Sequence, residues 1–135
     1  ANLARSLAAE RLSGGGRVAY CATFEDLPAV TAESVARAAD QGDETAIEVF
    51  DVVAHQLGRG LAILVDVLNP QRIVIGSIFA RQRGRLEERM LDSLRAEALP
   101  GALSVCEVVP AGLGEAVGDL ASLSVALEAT RIHEP

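Results

Sequence analysis

The chain has 135 residues, 50% hydrophobic, 23% charged and only 3% aromatic, and its 12 basic and 19 acidic side chains leave a net charge of −7. That length fits one domain, since domains run to roughly 100–200 residues, and about two-thirds of the unfolded surface can leave water at this size. The acidic balance excludes a nucleic-acid surface built from these residues, because phosphate recognition needs clustered Lys and Arg; DNA contact elsewhere in a longer protein stays open.

Cys21 and Cys106 stand far apart with no CxxC pair, which excludes a disulfide framework and a Cys-rich zinc site. Both read as free thiols, Cys106 as a buried small hydrophobe within Val105-Cys106-Glu107-Val108-Val109. This composition suits a reducing cytoplasm, the expected location. No apolar run reaches the ~18 residues of a membrane span; the longest, 61–65, ends at Asp66. The start Ala-Asn-Leu-Ala-Arg has no signal-peptide character and no Met. It reads as a processed terminus or as part of a longer protein.

In chain order, an Ala-rich helix is predicted over 1–12, with Leu3, Leu7 and Leu12 at helical spacing. Ser13-Gly14-Gly15-Gly16 breaks it, and no Gly-Lys-Ser/Thr follows, so the glycines make a turn rather than a phosphate loop. Residues 17–25 show no regular pattern, and Leu27-Pro28 closes them. Thr31 caps a short helix with Glu33 in its first turn, ended by Gln41-Gly42. Asp43 caps a long helix to about residue 68, striped by Ala46, Phe50, Val53, Leu57, Leu61, Leu64 and Leu68. Beyond Gly58 it is apolar nearly all round, which predicts burial on several sides. Gly58 and Gly60 weaken a helix, so their expected use is close approach of another backbone, in part at a subunit contact. Asn69-Pro70 stops the helix.

Arg72-Ile73-Val74-Ile75-Gly76 reads as a short buried strand. A helix over 82–98 follows, with Leu86, Met90, Leu94 and Ala98 on one face, and Pro100-Gly101 ends it. A second strand spans 103–109 and stops at Pro110. Ala111-Gly112-Leu113-Gly114 turns into a last helix over 115–129, before a tail over 130–135. The fold class is α/β: helices, then strand–helix–strand–helix. Apolar strands joined through a helix predict a parallel pair with a right-handed crossover. Two strands make a thin sheet, since stable sheets usually have three or more.

Few side chains suggest chemistry. His55 falls on the polar face of the long helix between Asp51 and Arg59, an exposed histidine with no converging metal ligands; His133 sits in the tail. Asp66 interrupts an apolar run and is expected at its edge, facing water or a subunit. Arg72, Arg81, Arg83, Arg85 and Arg89 form the one basic cluster, but Glu87, Glu88, Asp92 and Glu97 share the helix. A solvated face with Arg85–Glu88 or Arg89–Asp92 pairs is the expectation. Glu48, Asp51 and Glu115 show no paired-carboxylate pattern.

Four segments together resemble the ROK family of bacterial repressors, uncharacterised reading frames and sugar kinases. They are Ala38-Ala39-Asp40-Gln41-Gly42-Asp43-Glu44-Thr45-Ala46, Leu57-Gly58-Arg59-Gly60-Leu61-Ala62, Asn69-Pro70-Gln71-Arg72-Ile73-Val74-Ile75-Gly76, and Leu113-Gly114-Glu115 through Ser122. Order and spacing hold over 31–126, about two-thirds of the chain. The resemblance implies an actin-like ATPase fold of two ribonuclease-H-like lobes with ligand between them, and makes this chain the C-terminal part of the second lobe. It divides the chain into an N-terminal helix and connection over 1–30, the lobe over 31–129 and the tail over 130–135.

The family's phosphate-embracing Asp-x-Gly-Gly-Thr turn, catalytic aspartate, zinc cysteines, sugar-binding His and Glu, and first three strands of the lobe have no counterpart here. Phosphoryl transfer depends on positioned phosphates, metal and base, so these residues are expected to catalyse nothing alone and to hold no cofactor. A full-length kinase would use ATP and magnesium. The resemblance leaves an adenosine-side surface at Gly76, Ser77, Gly112 and Gly114; the alternative is that these residues only turn the chain. Where family kinases carry paired glycines and a closing Gly-Ala, this chain has Gly76-Ser77 and Ala121-Ser122. That favours a sugar-responsive transcriptional regulator, in which the lobe supports effector binding and homodimerisation without touching DNA or membrane. A glucokinase-like sugar kinase and a non-catalytic interaction module are the alternatives.

Overall fold

The computed structural model describes residues 1–76, 78–112, 120–125 and 127. Helix α1 (Asn2–Ser13) leads through a 3-10 turn (Phe24–Ala29) to α2 (Ala32–Asp40) and the long α3 (Glu44–Leu68). Strand β1 (Arg72–Ile75) is followed by α4 (Ile78–Arg81), α5 (Arg83–Glu97), α6 (Pro100–Leu103) and β2 (Glu107–Pro110). Residues 120–125 are helical; the rest of the helix expected over 115–129, and the tail, lie outside the described residues.

Local chemistry accounts for the helix ends. The Thr31 hydroxyl accepts from the Ser34 amide, starting α2. Gly42 takes φ +84°, a left-handed conformation that costs glycine little, and the chain re-enters a helix at Asp43. One carboxylate oxygen of Asp43 accepts from the Ala46 amide at 2.7 Å, and the other accepts from the Ala19 amide at 2.7 Å. At the far end of α3, Asn69 is left-handed (φ 44°, ψ 51°) and its amide donates to Val65 O. Asparagine tolerates that conformation better than other side chains, and Pro70 then prevents continuation.

The core lies where α3 packs against α5, with Leu86, Met90 and Leu94 facing Phe50, Ala54, Leu61 and Val65. At Gly58 the helices meet most closely: a Cβ there would lie 2.7 Å from Ser93 Cβ and closer still to Met90 O. The close approach expected of Gly58 is therefore made within the chain. Gly60 has nothing within 4 Å and serves no such contact among the described residues.

The buried face of α3 is also rotated from the expected stripe. Ala46, Val49, Phe50, Ala54, Gly58, Leu61, Ala62 and Val65 are buried, whereas Val53, Leu64 and Leu68, expected inside, are exposed along with Ile63 and Val67. Alpha-5 approaches over the small residues, where backbones can come close, and so selects that side. Burial on several sides beyond Gly58 does not occur among the described residues.

The strands pair in parallel with Arg72 opposite Glu107, Val74 opposite Val109 and Ile75 opposite Pro110. Ile73, Ile75 and Val108 pack toward the helical core, while Val74 on the other face is 59% exposed. The second strand starts at Glu107 rather than at 103, because Pro100 opens α6 instead of ending structure. Proline suits a first helical turn, where its missing N–H is no loss. The buried residues Ala4, Ala8, Val18, Cys21 and Val30 belong to the same core cluster as α3 and α5. Three bonds pin the irregular segment before α2: Tyr20 OH donates to Ala4 O at 2.9 Å, and the Arg5 guanidinium donates to Pro28 O and Val30 O.

Candidate functional site

In parallel sheets, ligands gather at the carboxyl ends of the strands, and that edge can be built here from both strands. Beta-1 exits through Ile75 into Gly76, and β2 through Pro110 into Ala111-Gly112. The Ala111 amide donates to Ile75 O at 2.9 Å, carrying the ladder one step past the strands. A Cβ on Gly76 would sit 3.6 Å from Ala111 Cβ, in ordinary contact, and Gly112 has nothing within 4 Å. Gly76 and Gly112 thus flank one backbone-lined edge. Ser77 and Gly114 lie outside the described residues, as do His133 and Glu115. Ala121 and Ser122 are exposed on the helical stretch 120–125. No group of three or more potential metal-ligating side chains occurs among the described residues.

The other singled-out side chains are held by structural bonds. His55 is exposed, yet its Nδ1 lies 2.7 Å from the buried Ser93 Oγ. Ser93 gives its one hydroxyl proton to Arg89 O at 3.0 Å. His55 Nδ1–H is then the donor, which leaves Nε2 directed away from this bond. Ser93 went unnoticed in the sequence, although a hydroxyl beside Leu94 on the apolar stripe of α5 is the signal that could have found it. Asp66 is half-buried and accepts from the Leu99 amide at 2.8 Å. It holds the turn into α6, rather than facing water or a subunit alone.

Arg72, Arg83, Arg85 and Arg95 are paired, but not as expected. Arg83 meets Glu87 at 2.6 Å, Arg95 meets Asp92 at 3.2 Å and Arg72 meets Glu107 at 2.8 Å. Arg85 reaches back to Asp40 on α2 and lies over the Phe50 ring, 5.6 Å from its centre. The expected Arg85–Glu88 pairing is thus replaced by a tertiary contact, and Asp92 goes to Arg95 rather than Arg89. The hydrogen bond to Arg83 holds the Glu87 carboxyl below its ordinary pKa. Burial pushes both thiols up, that of Cys21 helped by Asp26, so neither is an activated nucleophile.

A cleft of about 450 Å³ opens between α1 and the first turns of α3, lined by Leu7, Glu10, Arg11, Thr45 and Glu48. Arg11 Nε donates across it to the buried Thr45 Oγ1 at 3.2 Å. No described helix is long and apolar enough to cross a membrane.

Comparison with known proteins places these features in a family. The sequence model of the ROK family matches residues 9–128. The DNA-binding transcriptional repressor Mlc of Escherichia coli (strain K12) is 39% identical over 71 residues, 53% of this chain and 18% of the repressor. A glucokinase of Halalkalibacterium halodurans is 36% identical over 89 residues, 66% of this chain and 27% of the enzyme. The crystal structure of a ROK family transcriptional regulator, a homologue of the E. coli Mlc protein, matches with a TM-score of 0.62 at 22% identity, over 79% of this chain and 26% of that one. That last likeness is one of fold. The chain spans less than a third of each of these relatives. The four quoted segments fall wholly within the matched residues, and the Gly42–Asp43 helix start, the Gly58 contact and the Asn69 cap give three of them their physical meaning. This chain belongs to the ROK family.

Proposed function

We propose that this chain is the C-terminal portion of a ROK-family, sugar-responsive transcriptional regulator, where it supports effector binding and homodimerisation and catalyses nothing by itself. The observation that carries the reading is the carboxyl edge of the parallel pair. There Gly76 follows β1 directly, and the sequence next carries Ser77 where kinases of the family carry a second glycine, a side chain in place of hydrogen. The 39% identity to the Mlc repressor supports the same class. A ribonuclease-H-like lobe accords with α3 and α5 packed together while Ile73, Ile75 and Val108 turn toward them. On this reading Gly76 and Gly112 only turn the chain at the strand ends, and the chain holds neither nucleotide nor metal. The rest of the same cytoplasmic protein supplies the sugar contacts and the DNA-binding element.

A second reading has an observation of its own: the 36% identity to a glucokinase runs over 89 residues, a longer stretch than the repressor match. It makes the same edge the adenosine side of an ATP-dependent sugar kinase. The full-length protein carrying this chain separates the two. It is mixed with DNA from upstream of its own gene and with a panel of aldohexoses, and separately with ATP, magnesium and the same sugars. Sugar-dependent release of DNA without sugar phosphate formation is the expected result. Sugar phosphate formation at enzymatic rates overturns the regulator reading.

A further inference from the structure

We draw no further inference here: the strongest candidate, the cleft between α1 and the first turns of α3 lined by Glu10, Arg11, Thr45 and Glu48, reduces to a helix N-terminus among carboxylates, with Arg11 already bonded to Thr45 and, among the described residues, no buried, unpartnered side chain directed into it.

Discussion

Replacing Gly58 with alanine adds a methyl group 2.7 Å from Ser93 Cβ and nearer still to Met90 O. Alanine in a helix interior gains roughly 0.5–1 kcal/mol over glycine, but forcing a carbon into a packed joint costs about 1–3 kcal/mol. The second effect wins where backbone is the obstacle, so Gly58→Ala is expected to destabilise the chain by about 1–2 kcal/mol. Gly60→Ala, two residues on and in open space, is expected to stabilise it by about 0.5–1 kcal/mol. Urea denaturation of both variants beside the parent checks the pair, and equal shifts would refute the close-approach account. Tyr20 offers a separate test, since it is the one tyrosine and there is no tryptophan. Burial, then the charges of Asp43, Cys21 and Glu48, push its phenol up from 10.0 to about 12. A raised folded-state pKa means that the stability this group contributes is complete below pH 10.0 and is lost as pH rises through about 12. Phenolate absorbance should therefore titrate near pH 12, and Tyr20→Phe should flatten the fall of the urea midpoint in that window.

Among the elements, α3 has one apolar side against α5 and another without cover among the described residues, where Ile63 is 64% and Val67 73% exposed. Among the described residues the parallel pair likewise offers unpaired strand edges and an open face at Val74. Exposed apolar faces and free edges recruit other chains. The isolated chain is therefore expected to self-associate, and light scattering at high concentration checks it; a strict monomer would refute this. Ile63→Glu with Val67→Glu should raise the monomer fraction without loss of helical circular dichroism. The same helix shows what was legible in sequence. Its ends were, because Asp43 and Asn69-Pro70 are local signals that act on adjacent backbone. Its buried side was legible only in part: Ala46, Phe50 and Leu61 are buried as expected, but Val53, Leu64 and Leu68 are exposed, because both sides are apolar and the choice falls to α5, whose approach depends on Gly58. The start of β2 was misread for a related reason: Pro100 opens α6 after α5 has already ended at Glu97, and an apolar run carries no period that separates strand from helix. Arg85–Asp40 and His55–Ser93 join residues far apart in sequence, and no local pattern announces such pairs. At the strand-end edge, Gly76 and Gly112 were placed by the family resemblance rather than by any property of their own.

At the scale of the whole molecule, the family is shown by 9–128 together, while the proposed function rests on the edge at the strand ends. In a full-length regulator, Ser77→Gly is expected to leave sugar-dependent DNA release within about twofold of the parent and to produce no ATP-dependent phosphorylation, since phosphoryl transfer also needs a metal and a base. Coupled ATP-consumption and DNA-retention assays read both. Asp43 bears on the molecule as a whole because its two oxygens serve different parts of it: one starts α3 through the Ala46 amide, the other fastens the segment after the glycine turn through Ala19. Removing a helix cap alone costs about 0.5–2 kcal/mol. Here one carboxylate makes two distant stretches parts of a single opening unit. Amide hydrogens at Ala19 and Ala46 should then exchange with solvent through one shared opening. In Asp43→Ala both should lose protection together, although only Ala46 lies in the helix that the aspartate caps.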